Sequence, residues 1–386
     1  MIHIQQKEDC CGCGACMQIC PKQCITMTED EEGFLYPRID NTQCIGCNLC
    51  EKVCPVINQR PVREPLHTYA SIYNNDSVRK ESSSGGMFTY FAEQILNKHG
   101  VVFGATYTNK WEVIHTYIEH INELWKLRGS KYVQSYIGES YQQAEKFLKQ
   151  GRFVLFCGTP CQIAGLHGYL RKAYNNLYTI DIICHGVPSP QIWQQYLEEL
   201  NLHTISAVNF RNKENGWKAF NFRLDGLKIE EEKLNPYSIK ENFRENTYCK
   251  GFMHNLYLRP SCYHCPAKSG KSGSIISLGD LWGIDRICPD LDDDKGCSLV
   301  ILYENNSLKL DNCLMREIDL SNAMVSNKCI SQSVKIPQKR NLFFKLIKKR
   351  GMIKSTIQCT RKPFKDVMIF KIKHALYLFL SKFIKL

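Results

Sequence analysis

The sequence predicts three structural parts in order along the chain: a small α+β module, an α/β body and a basic helical tail. Two fourfold cysteine repeats near the amino terminus predict the module. Strands that alternate with helices predict the body, and an excess of lysine and arginine after residue 338 predicts the tail. The expected boundaries are 1–58 for the module, 66–335 for the body with its parts 66–150 and 151–335, and 336–386 for the tail.

Composition excludes several classes of protein. Of the 386 residues, 44% are hydrophobic and 23% are charged, which is typical of a soluble globular protein. No apolar run approaches the roughly 18 residues that a membrane-spanning helix needs, and the opening MIHIQQK contains no apolar signal core. We therefore expect a cytoplasmic protein whose 21 cysteines stay reduced and serve metal binding or redox chemistry.

The net charge of +12 is concentrated at one end of the chain. From Lys339 onward there are 14 lysines and arginines against the single acid Asp366, whereas the preceding 338 residues hold 36 bases and 37 acids. The body is thus nearly neutral, and we expect no nucleic-acid partner.

The strongest pattern is C-x2-C-x2-C-x3-C-P, which occurs twice and ends on Pro21 and Pro55. Two-residue gaps let three thiolates of one loop converge on a 4Fe-4S cube, and the three-residue gap sends the fourth thiolate to the other cube. Residues 1–58 resemble bacterial two-cluster ferredoxins. One cluster is assigned to Cys10, Cys13, Cys16 and Cys54, and the other to Cys44, Cys47, Cys50 and Cys20.

Other features of the module follow from the same pattern. Cys11 and Cys24 fall outside the spacing and are expected to be packed or spare thiols. Residues 25–27 and 34–38 flank an acidic Glu-Gly turn and predict a hairpin. The alternative of two structural zinc ribbons would need ligand pairs at a longer separation. Residues 58–65, which are polar and contain two prolines, predict a linker.

The first part of the body contains two segments that suit a phosphate-bearing ligand. Small residues at 82–86 precede a helical pattern of apolar residues, so free backbone N–H groups at the helix start could bind an anion or form an ordinary capped turn. Residues 101–105 predict a buried strand. Residues 128–135 combine a cation, an aromatic ring and polar groups, which could hold a dinucleotide or form a solvated turn.

Two strand-helix units follow in tandem. Residues 153–156 and 177–183 predict strands, and Thr159-Pro160 and Ser189-Pro190 predict the helix starts that follow them. Parallel strands would place their carboxyl ends at one sheet edge. Cys161 and Cys184 would then share this edge, and the downstream pair Cys262 and Cys265 could complete a four-thiolate site for a third 4Fe-4S cluster or for zinc.

Taken together, these residues resemble the coenzyme F420 hydrogenase/dehydrogenase beta-subunit family from about residue 3 to residue 330. The resemblance is carried by the ferredoxin repeats and by the segments SSGGMF (83–88), GSKYVQS (129–135), GTPCQ (158–162), CHGVPSP (184–190), FR (210–211), RPSC (259–262) and GDLWG (279–283).

The resemblance implies an α/β flavin-binding body with FAD and a third 4Fe-4S cluster, the latter on Cys161, Cys184, Cys262 and Cys265. His185 could tune that cluster through a hydrogen bond or face solvent. The family often has Asp and Thr where this chain has Ile275 and Ser277, so its use of coenzyme F420 is left open. The implied flavin contacts are Ser83, Ser84, Gly85, Gly86, Lys131, Tyr132, Gln134 and Ser135.

The expected function is that of an oxidoreductase. It would pass electrons between a small hydride carrier or reducible substrate at FAD and a ferredoxin-type partner, in a setting such as glycan synthesis. The alternative is a non-catalytic electron-relay subunit of a larger redox complex. No catalytic acid or base is identified from the sequence.

The end of the tail has an amphipathic pattern. Apolar residues from Met368 to Phe383 fall on one helical face, and Lys371, His374, Lys382 and Lys385 fall on the other. This helix could lie on the anionic inner face of a membrane as a peripheral contact, or its apolar stripe could pack on the body.

Overall fold

The computed structural model describes residues 1–305 and 308–361. At the amino terminus, an antiparallel hairpin pairs β1 (Ile25–Glu29) with β2 (Leu35–Ile39), which agrees with the predicted hairpin. Asp30 shapes its turn, because one carboxylate oxygen accepts from the backbone N–H groups of Glu32 and Phe34 at 3.0 and 2.9 Å. Two short helices carry cysteines of the repeats: α1 (Ala15–Ile19) and α2 (Leu49–Lys52).

The body is built on one mixed sheet of eight strands. Its four central strands are parallel, and antiparallel strands extend both sides. Most residues of these four strands are buried, as expected for strands covered on both faces. In sheet order, the strands are β13 (Cys313–Glu317), β3 (His67–Tyr73), β12 (Ser298–Leu302), β11 (Ile276–Asp280), β7 (Leu177–Ile182), β6 (Val154–Gly158), β4 (Val101–Tyr107) and β5 (Val113–Ile118).

Helices cover both faces of this sheet. The helices of the body are α3 (Asp76–Glu81), α4 (Met87–Leu96), α5 (Ser140–Lys149), α6 (Pro160–Leu170), α7 (Pro190–Glu199), α8 (Thr247–Met253), α9 (Ile284–Ile287) and α10 (Leu320–Ser326). Helix α4 packs Phe91 and Ile95 against one face, whereas α5 and α6 pack Tyr141 and Ile163 against the other. The predicted tandem units are present, since β6 leads into α6 and β7 into α7, and these two strands are parallel neighbours.

A second sheet, which was not predicted from the sequence, contains three antiparallel strands. They are ordered β10 (Lys233–Asn242), β9 (Asn221–Glu230) and β8 (Thr204–Asn212). Phe210 and Phe222 from this sheet pack with Trp193 of α7 in a fully buried aromatic core. The second sheet therefore packs on α7 of the body.

The described part of the predicted tail forms two helices, α11 (Arg340–Arg350) and α12 (Met352–Thr360). Phe343 and Met352 are fully buried in the same aromatic core, so these helices pack on the body. The predicted amphipathic face from Met368 to Phe383 lies outside the described residues. Within residues 1–305 and 308–361, none of the helices has the length and apolar character of a membrane span.

The ferredoxin-like module packs directly against α6. Two glycines permit this close approach, because a Cβ added at Gly165 would lie 2.8 Å from the Cβ of Cys13, and one at Gly168 would lie 2.3 Å from the backbone oxygen of Val53. Real Cβ atoms do not approach other atoms this closely, so each position requires glycine unless the module moves. The module and the body therefore share one packed interface.

Candidate functional site

The eight cysteines of the two repeats line two separate cavities in the module. Each cavity combines three thiols of one repeat with the last thiol of the other, which is the arrangement that the spacing predicts. The first thiol set, Cys10, Cys13, Cys16 and Cys54, lines one cavity. The second thiol set, Cys20, Cys44, Cys47 and Cys50, lines the other.

The two repeats reach this arrangement through matching local turns. Gly14 (φ 70°) precedes α1 and Asn48 (φ 57°) precedes α2, and both residues adopt the left-handed conformation that reverses the loop toward its thiols. Glycine and asparagine tolerate this conformation better than other residues. The two short helices then direct Cys16 and Cys50 into their cavities.

The buried thiols of the first set favour metal ligation. Burial, with a smaller contribution from the neighbouring Cys10 and Cys54, raises the pKa of Cys16 to about 12. A thiol must lose its proton to bind iron, and a bound metal supplies the positive charge that makes this favourable. The donor set and its enclosure thus fit an iron-sulfur cluster.

The two cysteines outside the spacing also lie near the cavities. The Sγ of Cys24 is 3.4 Å from the Sγ of Cys20. Cys11 is buried, and its thiol lies near those of Cys13 and Cys161. Cys11 therefore links the first thiol set to the body, a role that its position in the sequence did not suggest.

The third predicted thiol set lies at the carboxyl edge of the parallel strands. Cys161 is the second residue of α6, which follows β6, and Cys184 follows β7. The thiol of Cys184 interacts electrostatically with those of Cys262, Cys161 and Cys265, so the fold brings all four residues into one region.

The environment of this third set is partly polar. The hydroxyl of Thr159 lies 3.2 Å from the Sγ of Cys161, and the backbone N–H of Val187 donates to the Sγ of Cys262 at 3.4 Å. Burial raises the pKa of Cys262 to about 12. In the described part of the chain, no three His, Cys, Asp or Glu side chains converge closely enough to hold a single metal ion.

His185, next to Cys184, is held on both sides. Its Nε2 lies 2.7 Å from the side-chain oxygen of Asn255, and its Nδ1 lies 3.7 Å from the Sγ of Cys329. Its ring also contacts Phe252 edge to face, with ring centroids 5.1 Å apart. The partly buried ring is therefore fixed by contacts within the protein, next to Cys184 of the third thiol set.

The two segments of the implied flavin site meet in space. The hydroxyl of Ser83 accepts hydrogen bonds from the backbone N–H and the hydroxyl of Ser130, both at 2.8 Å. The hydroxyl of Ser84 donates to the backbone oxygen of Cys297 at 2.8 Å. Gly85 and Gly86 complete this turn, and a Cβ at Gly85 would lie 2.4 Å from the backbone oxygen of Ser71.

A buried ion pair, which was not identified as such from the sequence, organises this junction. Arg211 pairs with both carboxylate oxygens of Asp280, at 2.8 and 3.0 Å, and donates to the backbone oxygen of Ser83 at 3.0 Å. Its guanidinium also lies 3.3 Å from the hydroxyl of Tyr132 and stacks on Phe220, 3.9 Å from the ring centroid. The available signal was the presence of both residues in the segments FR (210–211) and GDLWG (279–283), which carry the family resemblance.

One donor of this ion pair is free to bind a ligand. Among the described residues, the Nε of Arg211 is a buried donor without a hydrogen-bond acceptor, and the hydroxyl of Tyr107 is likewise buried and unpaired. Lys131 lies near Tyr107, with its Nζ 5.8 Å from the ring centroid, and burial lowers the pKa of Lys131 to about 7. We call the place where residues 83–86 meet residues 130–132 the Ser83–Tyr132 junction. These groups fit a polar or anionic cofactor there.

The remaining implied flavin contacts point elsewhere. The side-chain nitrogen of Gln134 donates to the backbone oxygen of Cys11 at 3.2 Å, so this residue faces the module. The hydroxyl of Ser135 lies 2.9 Å from the Nδ1 of His115 and accepts from Gln162 at 2.9 Å. Both side chains are therefore engaged in contacts within the protein.

Ser277, where the family often has Thr, lies in the sheet and not at this junction. It is paired in register with Asp181 of β7. Asp181 is buried and accepts from the hydroxyl of Ser274 at 2.9 Å.

Two cavities lined by cysteines, beside an α/β sheet with a further cysteine edge, define an iron-sulfur protein of the oxidoreductase type. Residues 9–58 match the family described as 4Fe-4S dicluster domain. Residues 151–320 match the family that describes the carboxy-terminal part of the beta subunit of coenzyme F420 hydrogenase/dehydrogenase. The predicted resemblance is confirmed: a ferredoxin-type dicluster domain precedes a region of this beta-subunit family.

Among solved structures, the chain is similar to a chain of the F420-reducing NiFe hydrogenase complex from Methanosarcina barkeri. The two share 14% sequence identity with a TM-score of 0.44, over 69% of this chain and 91% of that chain. No curated protein matches the chain.

Proposed function

We propose that the chain is an iron-sulfur flavoprotein oxidoreductase that exchanges electrons between a small hydride carrier or reducible substrate and ferredoxin-type one-electron carriers. The observation that carries the proposal is the continuity of the three thiol sets with the Ser83–Tyr132 junction. A bound flavin supplies the chemistry of accepting a hydride and releasing its electrons one at a time.

The first and third thiol sets lie close to one another. The thiol of Cys11 is near that of Cys13 in the first set and that of Cys161 in the third set. Cys47 of the second set is exposed, so the second set is the site from which electrons would pass to a partner protein. In the path of electron transfer, the first set would lie between the second set and the third set.

Aromatic contacts connect the third set to the proposed flavin site. His185, adjacent to Cys184, packs on Phe252, and Phe252 stacks on Tyr132 with ring centroids 5.0 Å apart. The hydroxyl of Tyr132 then reaches Arg211. Closely packed side chains exclude water from this region, which lowers the local dielectric and strengthens the field of Arg211.

The residues at the junction have separate roles in this proposal. Arg211, held by Asp280, presents its free Nε to an anionic or carbonyl group of the bound ligand. Ser83 and Ser130 fix the loop that faces it. Lys131, whose pKa is about 7, can hold or release a proton at Nζ near neutral pH.

We also propose a cytoplasmic location and a protein partner. A ferredoxin or another redox protein would dock at the second thiol set, with glycan synthesis as one setting for the substrate. The tail beyond the described residues is proposed to make a peripheral membrane contact.

Anaerobic purification followed by iron, sulfide and flavin analysis tests the cofactors. We expect about twelve irons and one flavin per chain, from three four-iron clusters and one FAD. Eight irons with stoichiometric zinc would remove the third cluster. A colourless, iron-free chain would overturn the whole proposal.

A pair of variants tests the flavin site independently. Asp280→Asn should retain iron but lose most bound flavin, because the guanidinium of Arg211 is no longer held in place by a carboxylate. Asp225→Asn removes a carboxylate that pairs with the more exposed Arg223 and should keep its flavin. Equal flavin content in both variants would contradict the assignment.

Reduction of the isolated chain separates the enzyme from a relay subunit. An enzyme should oxidise a reduced nicotinamide or a reduced deazaflavin steadily when a ferredoxin-type acceptor is supplied. A relay subunit would turn over only within a complex.

A further inference from the structure

Arg259 lies where the ferredoxin-like module meets the body, and its guanidinium is bonded to both. It is 1% exposed. Its Nε donates to the backbone oxygen of Cys10 at 2.7 Å, and its Nη2 donates to the backbone oxygen of Leu35 at 2.9 Å. On the body side, its Nη1 donates to the side-chain oxygen of Gln134 at 3.1 Å.

The same guanidinium contacts a thiol of the first set. Its Nη2 lies 3.4 Å from the Sγ of Cys10, and its planar face lies over the Tyr36 ring, 4.5 Å from the centroid. Cys262 of the third set is three residues further along the chain and also faces this charge. Arg259 is therefore next to one thiol set and close to a second.

This arrangement leaves a buried positive charge without a carboxylate. The three other buried arginines of the described chain each pair with an acid: Arg79 with Asp293, Arg211 with Asp280 and Arg340 with Glu32. In residues 1–305 and 308–361, Arg259 forms no such ion pair, and the groups that favour its charge are Cys10, Tyr36, Cys11 and Cys262. A buried cation without an anionic partner is strongly unfavourable.

An iron-sulfur cluster at the first set would supply the missing anion. A 4Fe-4S cube with four thiolates carries net negative charge, and reduction adds one more electron to it. A fixed positive charge in a low-dielectric region stabilises the reduced form more than the oxidised form. Hydrogen bonds to the sulfurs act in the same direction.

We propose that Arg259 is the buried counter-cation of the cluster held by Cys10, Cys13, Cys16 and Cys54, and that it raises the reduction potential of that cluster. Arg259 acts through Cys10 and is thus a positioning residue. The inference rests on the proposed function, because it requires a cluster at the first thiol set.

Redox titration of the full chain tests this role. Wild type, Arg259→Gln and Arg259→Lys are purified anaerobically, their iron is counted, and they are titrated with dithionite under EPR observation. In Arg259→Gln, we expect the equilibrium constant for reduction of one module cluster to fall about tenfold, which is a shift of about 59 mV to lower potential for a one-electron couple. Arg259→Lys keeps the charge and should shift less.

Two further variants complete the experiment, one to assign the EPR signals and one as a control. Cys47→Ser changes a thiol of the second set and marks which signal belongs to that set, whose potential should not respond to Arg259. Arg63→Gln is the matched control, since it removes a guanidinium that bonds the backbone of Ser274 and pairs with Glu304. It should leave both module potentials unchanged.

The outcomes separate this inference from the proposed function. Loss of one cluster's iron in Arg259→Gln but not in Arg259→Lys supports the role of the charge as fully as a shifted potential does. If Arg259→Gln keeps its full iron and both module potentials are unchanged, the role of Arg259 is overturned and the proposed function stands. An equal effect of Arg259→Gln and Arg259→Lys on the potentials has the same consequence. A wild-type chain without iron overturns both.

Discussion

Arg340 at the start of helix α11 and Glu32 in the turn of the ferredoxin-like hairpin form a buried, two-pronged ion pair. The Nη1 of Arg340 donates to one carboxylate oxygen of Glu32 at 2.7 Å, and its Nη2 donates to the other. The guanidinium of Arg340 also lies over the ring of Tyr263 and donates a hydrogen bond to its hydroxyl. In the sequence, Tyr263 stands between the two cysteines of the C-x2-C pair. The carboxy-terminal helices thereby secure both the module and the third thiol set.

Breaking this pair should destabilise the protein. We expect Arg340→Met to lower the free energy of unfolding by about 3–5 kcal/mol, because a buried carboxylate then loses its counter-charge. The double variant Arg340→Met with Glu32→Met should be less destabilised than either single variant, since no buried charge remains. Chemical denaturation of the anaerobic protein measures this, with the exposed Arg316–Asp290 pair as a control that should contribute little. Additive losses in the double variant would contradict it.

Paired cysteine substitutions should reveal which thiols share a cluster. If Cys20 belongs to the second set, Cys20→Ser combined with Cys47→Ser should lose the iron of one cluster only. Cys20→Ser combined with Cys16→Ser should lose the iron of two clusters. The measurement is the iron content per chain, and Cys313→Ser is the control because Cys313 lies outside all three sets. If the clusters were instead ligated within each repeat, the first double variant would lose two clusters and the second would lose one.

Acid should destabilise the protein partly through His115. Burial lowers its pKa to about 4, from an ordinary value of 6.5, and the hydrogen bond to the backbone oxygen of Cys157 opposes this shift. Between pH 4 and 6.5 the unfolded chain binds the extra proton, so stability is lost as the pH falls through this range. The effect of this group is about 3 kcal/mol at most.

The variant His115→Gln isolates this contribution. Its amide can still donate to Cys157 and accept from Ser135, but it does not titrate. The melting temperature of the variant should therefore fall less than that of wild type when the pH is lowered from 6.5 to 4. Because His167, whose pKa is also about 4, is unchanged in both chains, its effect cancels. Parallel curves would exclude His115 as the cause.

Membrane binding is best tested by a truncation after Arg361. Phe343, Met352 and Cys359 are buried in the body, so a truncation at residue 338 would damage the core as well as remove the tail. The shorter truncation should melt like wild type but lose co-sedimentation with vesicles that contain anionic lipid. Neutral vesicles provide the control, since a basic helix binds them less. Unchanged co-sedimentation would show that the tail is not the contact.

Local patterns predicted a substantial part of this protein. The hairpin of the module, the strands β4, β6 and β7 and the starts of helices α6 and α7 all follow from short-range rules of spacing and capping. The three-stranded sheet β8–β10 was missed, because its strands alternate weakly and its long hairpin carries many charged residues. The packing of helices α11 and α12 was also missed, since a basic amphipathic sequence fits a surface helix equally well.

The chemistry of the module can be read from the order of its residues, because the spacing of cysteines within one loop limits which thiols can meet on one cube. The contacts of the buried arginines cannot be read in this way: Arg211 with Asp280, Arg259 with Cys10 and Arg340 with Glu32 are separated by 69, 249 and 308 residues. Contacts at such separations depend on how the sheet, the module and the carboxy-terminal helices pack, and no local pattern encodes that packing.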